Sequence, residues 1–170
     1  MKKYSLITFS VIVVIAVVIF FQLGGAEPVQ FRLVQREPAY AVGHHFEGFP
    51  NDKKLEELFF AARDRATTEG LDLMVINYPA STQENRVKQF IGVVQRDTAN
   101  RPQGTSIEQL PGGTYVEAQV IAHNFVMPKP GEVKEQALEF AQKQEVKLEA
   151  GISYEIYKGE RELLILFYSM

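Results

Sequence analysis

Ser153-Tyr154-Glu155-Ile156-Tyr157-Lys158, a tight turn at Lys158-Gly159-Glu160-Arg161, and Glu162-Leu163-Leu164-Ile165-Leu166-Phe167-Tyr168-Ser169 read together as a closing β-hairpin. An acid at 155, set among aromatics on an otherwise apolar strand, is costly to desolvate unless a positive or hydrogen-bonding group meets it. Glu155 is therefore the leading candidate for a ligand contact.

Working back from the hairpin, Tyr115 to His123 alternates Tyr115, Glu117, Gln119 and Ile121 against Val116, Ala118, Val120 and Ala122. The small apolar side suits a helix, which Val133, Ala137, Phe140 and Ala141 supply. This is a β-α-β-β unit, and the same order occurs earlier. After a strand at Val29–Val34 that ends near Pro38, Tyr40 to Phe46 alternates, with Tyr40, Val42, His44 and Phe46 opposite the small set Ala41, Gly43 and His45. A helix from about Asp52 to Glu69 is capped by Asp52 and stopped by Gly70, with Leu55, Leu58, Phe59, Ala62 and Ala66 as its apolar stripe. Leu73 to Tyr78 and Arg86 to Gln95 complete the first unit. Asp97 to Gly113, rich in Pro and Gly, reads as a connector with an exposed middle.

The fold class expected is α+β: duplicated β-α-β-β modules joined in one antiparallel sheet, two helices on one face, and the other face left as a concave site. On the closing hairpin, Glu155, Tyr157, Leu164, Leu166 and Tyr168 are assigned one parity, and Tyr154, Ile156, Leu163, Ile165 and Phe167 the other. The apolar set with Ile156 is expected against the helices, which leaves Glu155, Tyr157 and Tyr168 on the concave side.

The amino terminus adds a further element. Ser5 to Leu23 is largely apolar, and as a helix it would rise about 28 Å, near the hydrocarbon thickness of a bilayer. The expectation is a transmembrane helix preceding the domain. Residues 1–26 would be cytoplasmic tip, span and tether, and residues 27–170 the folded domain. Lys2 and Lys3 before the span place the domain outside the cytoplasm. The alternative is a signal peptide cleaved near Gly24-Gly25-Ala26, giving a secreted domain.

Composition narrows the function. A net charge of −3 on 170 residues, with both signs interspersed, predicts no nucleic-acid partner. With no cysteine, disulfides and thiol catalysis are excluded. His44-His45 and His123 lack a completing set of ligands, so neither a metal centre nor a cofactor is expected. No Ser-His-Asp spacing is visible, and no catalytic residues are assigned.

Three segments in this order, Arg86-Val87-Lys88-Gln89-Phe90, Leu110-Pro111-Gly112-Gly113-Thr114-Tyr115 and Tyr154-Glu155-Ile156-Tyr157, sit within the duplicated pattern. In this the chain resembles, over Val29 to Met170, the GyrI-like small-molecule-binding family, also found as the effector-binding domain of bacterial multidrug-responsive transcription activators. The resemblance implies a cleft near a pseudo-two-fold axis, where aromatics and a buried glutamate hold amphipathic, often cationic, ligands. Glu155 stands at the position resembling that glutamate, and the expected ligand-binding set is Glu155, Tyr157, Tyr168, Val42, Tyr40, Phe90 and Tyr78. The bland alternative for Glu155 is an ion pair with Arg86, Lys88 or Arg161. Phe125-Val126-Met127-Pro128-Lys129-Pro130 departs from the glycine-containing loop of the family, and a membrane helix stands where the transcriptional members carry a helix-turn-helix.

The function expected is a membrane-anchored binding domain for small amphipathic or cationic molecules, its other partner being the bilayer through residues 5–23. Two alternatives stand beside it. One is a hydrolase of reactive small molecules using Glu155 to direct water, since the resemblance extends to members that open strained rings. The other is a protein-interaction domain.

Overall fold

Asp52 and Gly70 bracket the first module's helix by side-chain and backbone chemistry. Asp52 Oδ1 accepts a 2.9 Å hydrogen bond from the Lys54 N–H. Gly70 adopts the left-handed conformation at φ 66°, and its N–H closes on the Ala66 carbonyl. Between them the helix buries Ala66 and packs Leu55, Leu58, Phe59 and Ala62 onto the sheet.

The computed structural model describes residues 2–25, 27–79, 86–95, 101–122, 126–149, 151–159 and 161–170. In chain order the elements are α1 (Lys2–Gln22), β1 (Gln30–Arg36), β2 (Ala39–Gly48), α2 (Lys53–Glu69), β3 (Leu73–Asn77), β4 (Val87–Gln95), β5 (Ser106–Leu110), β6 (Gly113–Ile121), α3 (Pro130–Lys143), β7 (Ser153–Lys158) and β8 (Glu162–Tyr168). The chain is α+β, with one eight-stranded antiparallel sheet in the order β1-β6-β8-β7-β3-β4-β2-β5.

That order exposes an exchange between the two modules. β1, which leads the first module, pairs with β6 of the second, and β5, which leads the second, pairs with β2 of the first. The modules meet at β3–β7, where Leu73 faces Tyr157, Val75 faces Glu155 and Asn77 faces Ser153. Each module thus caps an edge of the other, and Glu155 lies on the junction itself.

Both helices cover one face. α2 packs with Phe46, Leu73, Val75, Ile91 and Val93, while α3 packs with Val116, Ala118, Val120, Leu163, Ile165 and Phe167. Tyr157 packs against both clusters. The opposite face carries Ala41, Met74, Ile76, Phe90, Leu110, Tyr115, Tyr154, Ile156, Leu164 and Leu166, all at or below 5 % exposure, and a cavity of about 330 Å³ lined in part by Met74, Leu110 and Ile156. Each such large apolar side chain contributes about 1.5–3 kcal/mol by burial. The Tyr115 hydroxyl in this core donates a 2.6 Å bond to the Pro111 carbonyl oxygen.

Four sequence expectations are corrected. In β7 the parity is reversed: Tyr154 and Ile156 pair with Leu166 and Leu164 on the helix-free face, while Glu155 and Tyr157 pair with Ile165 and Leu163 on the helix face. In β2, α2 rests on the side of Val42 and Phe46, not on the small side of Ala41 and Gly43. The expected connector contains β5, an edge strand whose Leu110 is buried.

The fourth correction concerns the membrane segment. α1 forms, but among the described residues no helix is long and apolar enough to cross a membrane. This finding overturns the transmembrane helix at residues 5–23, the single-pass localisation with an extracytoplasmic domain, and the bilayer as partner. His123 and Phe125 lie outside the described residues.

Candidate functional site

Glu155 stands between Val75 on β3 and Ile165 on β8, two aliphatic cross-strand neighbours that offer its carboxylate nothing. The residue is half-buried and its carboxyl group is densely surrounded; burial pushes the carboxyl pKa up, only partly offset by hydrogen bonds from Tyr157 and Asn77. The Tyr157 hydroxyl donates to Oε2 at 2.7 Å, and Asn77 Nδ2 donates to Oε1 at 2.8 Å. Asn77 is itself fixed, since Gln89 Nε2 donates to its Oδ1 at 2.6 Å and its Nδ2 also reaches Ser153 Oγ at 3.3 Å. Among the described residues no cation pairs with Glu155, so the structural ion pair with Arg86, Lys88 or Arg161 is not what holds it. Lys88 instead lies over the Tyr78 ring, 5.6 Å from its centroid, on the other face.

A cavity of about 810 Å³ opens on the helix face beside this network, within the ~300–1,000 Å³ usual for small-molecule sites. Phe59, Ala66, Leu71, Leu73, Met127 and Tyr157 form its apolar walls, and Arg63, Asp64 and Glu162 bring charge to it. Phe59 meets Tyr157 edge-to-face with ring centroids 5.6 Å apart. Arg63 is drawn toward the Phe60 ring, 4.8 Å from its centroid. Tyr157 belongs to the wall while its hydroxyl reaches Glu155, so the carboxylate stands one side chain behind the cavity surface. Burial first, and then the neighbouring Glu155, push the Tyr157 hydroxyl pKa well above the usual tyrosine range, so it remains a proton donor.

The sheet separates the residues expected to share a cleft. Glu155 and Tyr157 are together, and Val42 lies on their face but buried in the sheet core at 1 % exposure; Tyr40 is on that face too, 41 % exposed. Tyr168, Phe90 and Tyr78 are on the opposite face. Tyr168 packs edge-on against Tyr115 at 5.1 Å, Phe90 is fully buried, and Tyr78 lies 6.3 Å from His45, ring centroid to centroid. None of these three reaches the Glu155 carboxylate.

Sequence reasoning missed Asn77 as a donor to Glu155, Gln89 as the partner that holds Asn77, and Phe59 as the ring against Tyr157. A usable signal existed: Asn77 is the polar residue of the otherwise apolar β3, and it stands directly opposite Gln89 in register. It also missed a second buried acid. Glu117 on β6 has no exposed surface, yet it is fully paired: Arg32 Nε donates to Oε1 at 2.7 Å, and Arg36 bonds to Oε2. Burial would raise its pKa, but the hydrogen bonds from Arg36 and Arg32 outweigh that and hold it below the usual carboxylate range. Glu117 lies on the helix-free face, so the two acids serve opposite faces and differ in kind: one is neutralised by arginines, the other is met among the described residues by neutral donors. Among the described residues no cluster of His, Asp and Glu could hold a metal ion.

No family model and no curated protein matches the sequence. Solved structures do. EcmrR, in its complex with DNA, is similar at a TM-score of 0.59 and 13 % identity over 99 % of this chain and 68 % of that one. SAV2435 bound to tetraphenylphosphonium gives 0.50 and 13 %, covering 83 % and 94 % of the respective chains. A hydrolase from Listeria innocua gives 0.57 and 8 %, covering 83 % and 92 %. These likenesses are of fold, in keeping with the GyrI-like resemblance. The DNA in the EcmrR complex leaves the charge-based expectation of no nucleic acid without support.

Proposed function

We propose that this chain is a binding module for small amphipathic cations, which enter the cavity between Phe59 and Tyr157 and use Glu155 as their counter-charge. The observation that carries this reading is a densely surrounded acid whose donors among the described residues are neutral, one side chain behind an apolar cavity of about 810 Å³. A lipophilic cation brings both missing pieces, apolar area for the walls and positive charge for the acid. Each aromatic face adds about 0.5–2 kcal/mol to a desolvated cation. Asp64 and Glu162 at the cavity outnumber Arg63, which favours the same sign of ligand. The tetraphenylphosphonium held by SAV2435, a protein of the same fold, supports this class of ligand. In this account Tyr157 turns aside to let the cation approach Glu155.

The test is a thermal-shift panel of lipophilic cations, neutral analogues and anions against the wild type and Glu155→Gln, since a ligand that prefers the native state raises apparent stability by mass action. Shifts confined to cations and lost in Glu155→Gln are expected. Equal shifts in both proteins would remove Glu155 from the site.

A hydrolytic reading is favoured by one observation, the Glu155 carboxyl and Tyr157 hydroxyl 2.7 Å apart beside a cavity, an acid–base pair able to direct water at an electrophile. The hydrolase of the same fold from Listeria innocua supports considering it. Turnover of an electrophilic substrate, abolished in Glu155→Gln, would establish it over simple binding.

A further inference from the structure

Among the described residues, the Glu155 carboxyl is met by hydrogen bonds from Asn77 and Tyr157 and by no cationic group. Around Glu155, β3 offers Val75 and the neutral amide of Asn77, β4 the neutral Gln89, β7 Ser153 and the Tyr157 hydroxyl, and β8 Ile165. The charged groups nearest on the helix side, Arg63 and Asp64 of α2 and Glu162 of β8, line the cavity beyond the Tyr157 ring. Ionising a carboxyl in such surroundings costs desolvation that two neutral hydrogen bonds only partly return.

We infer that the site exchanges a proton for its ligand: Glu155 is protonated when the cavity is empty and releases that proton to solvent when a permanently charged cation binds. This rests on the cation-site reading above and names how that site is regulated. The step balances as carboxylic acid plus cation going to a carboxylate–cation pair plus one proton in water, with no bond to the ligand formed.

The hydrogen-bond geometry suits both states. Asn77 Nδ2 donates to Oε1 whether or not Oε2 carries a proton, and Gln89 pins the Asn77 amide in that orientation. At Oε2 the partner is a hydroxyl, the one group that reverses direction by rotating a single bond. Tyr157 accepts from the protonated acid and donates to the carboxylate across the same 2.7 Å. The upward displacement of the Glu155 pKa by burial agrees with this arrangement.

Two classes of cation are thereby told apart. A quaternary phosphonium must displace the proton, so its affinity rises about tenfold per pH unit below the pKa of Glu155 in the empty protein and levels off above it. An uncharged tertiary amine takes the proton from Glu155 and binds as the ion pair with no net release.

The experiment is titration calorimetry of the full chain with tetraphenylphosphonium, in buffers of different ionisation enthalpy, from about pH 4 to about pH 8, a span around ordinary and raised carboxyl values. The expected result is close to one proton released per cation at the acid end, declining as pH rises, and none in Glu155→Gln, while Asp64→Asn and Glu162→Gln keep the release. Glu155-dependent binding with no proton released at any pH would overturn the exchange and leave the cation site standing. Equal proton release in Glu155→Gln would overturn the assignment to Glu155. No binding of the phosphonium at all would overturn the cation-site reading and the exchange with it.

Discussion

Tyr157 and Glu155 are two residues apart on β7 and therefore share a face, and the tyrosine hydroxyl closes the gap to donate a 2.7 Å hydrogen bond to Oε2 of the acid. The same side chain meets Phe59 edge-on and forms part of the cavity wall. One residue is thus the acid's hydrogen-bond donor and the screen between it and the cavity.

Removing that donor separates the two roles. Tyr157→Phe keeps the ring and the wall but withdraws a hydrogen bond that lowers the Glu155 pKa, so the acid should titrate still higher than in the wild type. The stability cost should be about 1 kcal/mol, that of one net hydrogen bond. A carboxyl-detected NMR titration with chemical unfolding checks both. An unmoved Glu155 titration would show that the hydroxyl does not govern the acid.

The pH dependence of stability should change in Glu155→Gln. The folded pKa of Glu155 lies above its ordinary value of 4.5, so between the two the folded state binds more protons than the unfolded one. Stability contributed by this site therefore falls as pH rises from about 4.5 through the raised value, then stays level. The neutral amide introduced by Glu155→Gln mimics the protonated acid and lacks this decline, so the variant gains on the wild type as pH rises. Melting curves that stay parallel across this window would contradict a raised pKa.

Glu117 should behave in the opposite sense. Its folded pKa is lowered, so its stabilisation by Arg32 and Arg36 is present above 4.5 and lost as pH falls through the folded value. Glu117→Gln leaves the partly buried Arg36 facing a neutral group and should cost roughly 3 kcal/mol at neutral pH, at the low end for breaking a buried pair because Arg32 is largely solvated. Chemical unfolding measures it, and a loss under about 1 kcal/mol would show that the cluster is not a structural fixture.

Gly43 and Gly92 face each other across β2 and β4, and a Cβ at Gly43 would run into the Ile91 carbonyl oxygen and the Gly92 Cα. Both obstacles are backbone, so Gly43→Ala should destabilise by roughly 3 kcal/mol. Gly131, in the first turn of α3 with nothing near its missing Cβ, is the contrast: Gly131→Ala should be neutral or stabilise by about 0.5–1 kcal/mol. Equal effects at the two positions would refute the close approach of β2 and β4.

The local chemistry of this chain was legible in its sequence, and the long-range pairing was less so. Asp52 and Gly70 act as cap and stop because their effect depends only on neighbours within one turn. Val116, Ala118 and Val120 revealed their face because the alternate residues Glu117 and Gln119 are polar. On β7 the alternation sets Tyr154 and Ile156 against Glu155 and Tyr157, with an aromatic on each side, and β8 is apolar on both. The facing of Glu155 is decided instead by pairing with Val75 on β3, which sequence alternation does not report. β5 was hidden because Ser106-Ile107-Glu108-Gln109-Leu110 has only two apolar residues amid Pro and Gly, and its strand character comes from the edge of β2. Glu117 was placed on the correct face but its burial was not foreseen, because its arginines arrive from β1, 81 and 85 residues away.

The most direct measurement is the dissociation constant of tetraphenylphosphonium for the full chain and for Glu155→Gln, determined by equilibrium binding at the alkaline end of the titration, about pH 8, under conditions where both are folded. The account predicts saturable binding to the wild type that weakens at least tenfold, about 1.4 kcal/mol, in the variant. Equal affinity in the two proteins would mean that Glu155 is not the counter-charge of a cation site.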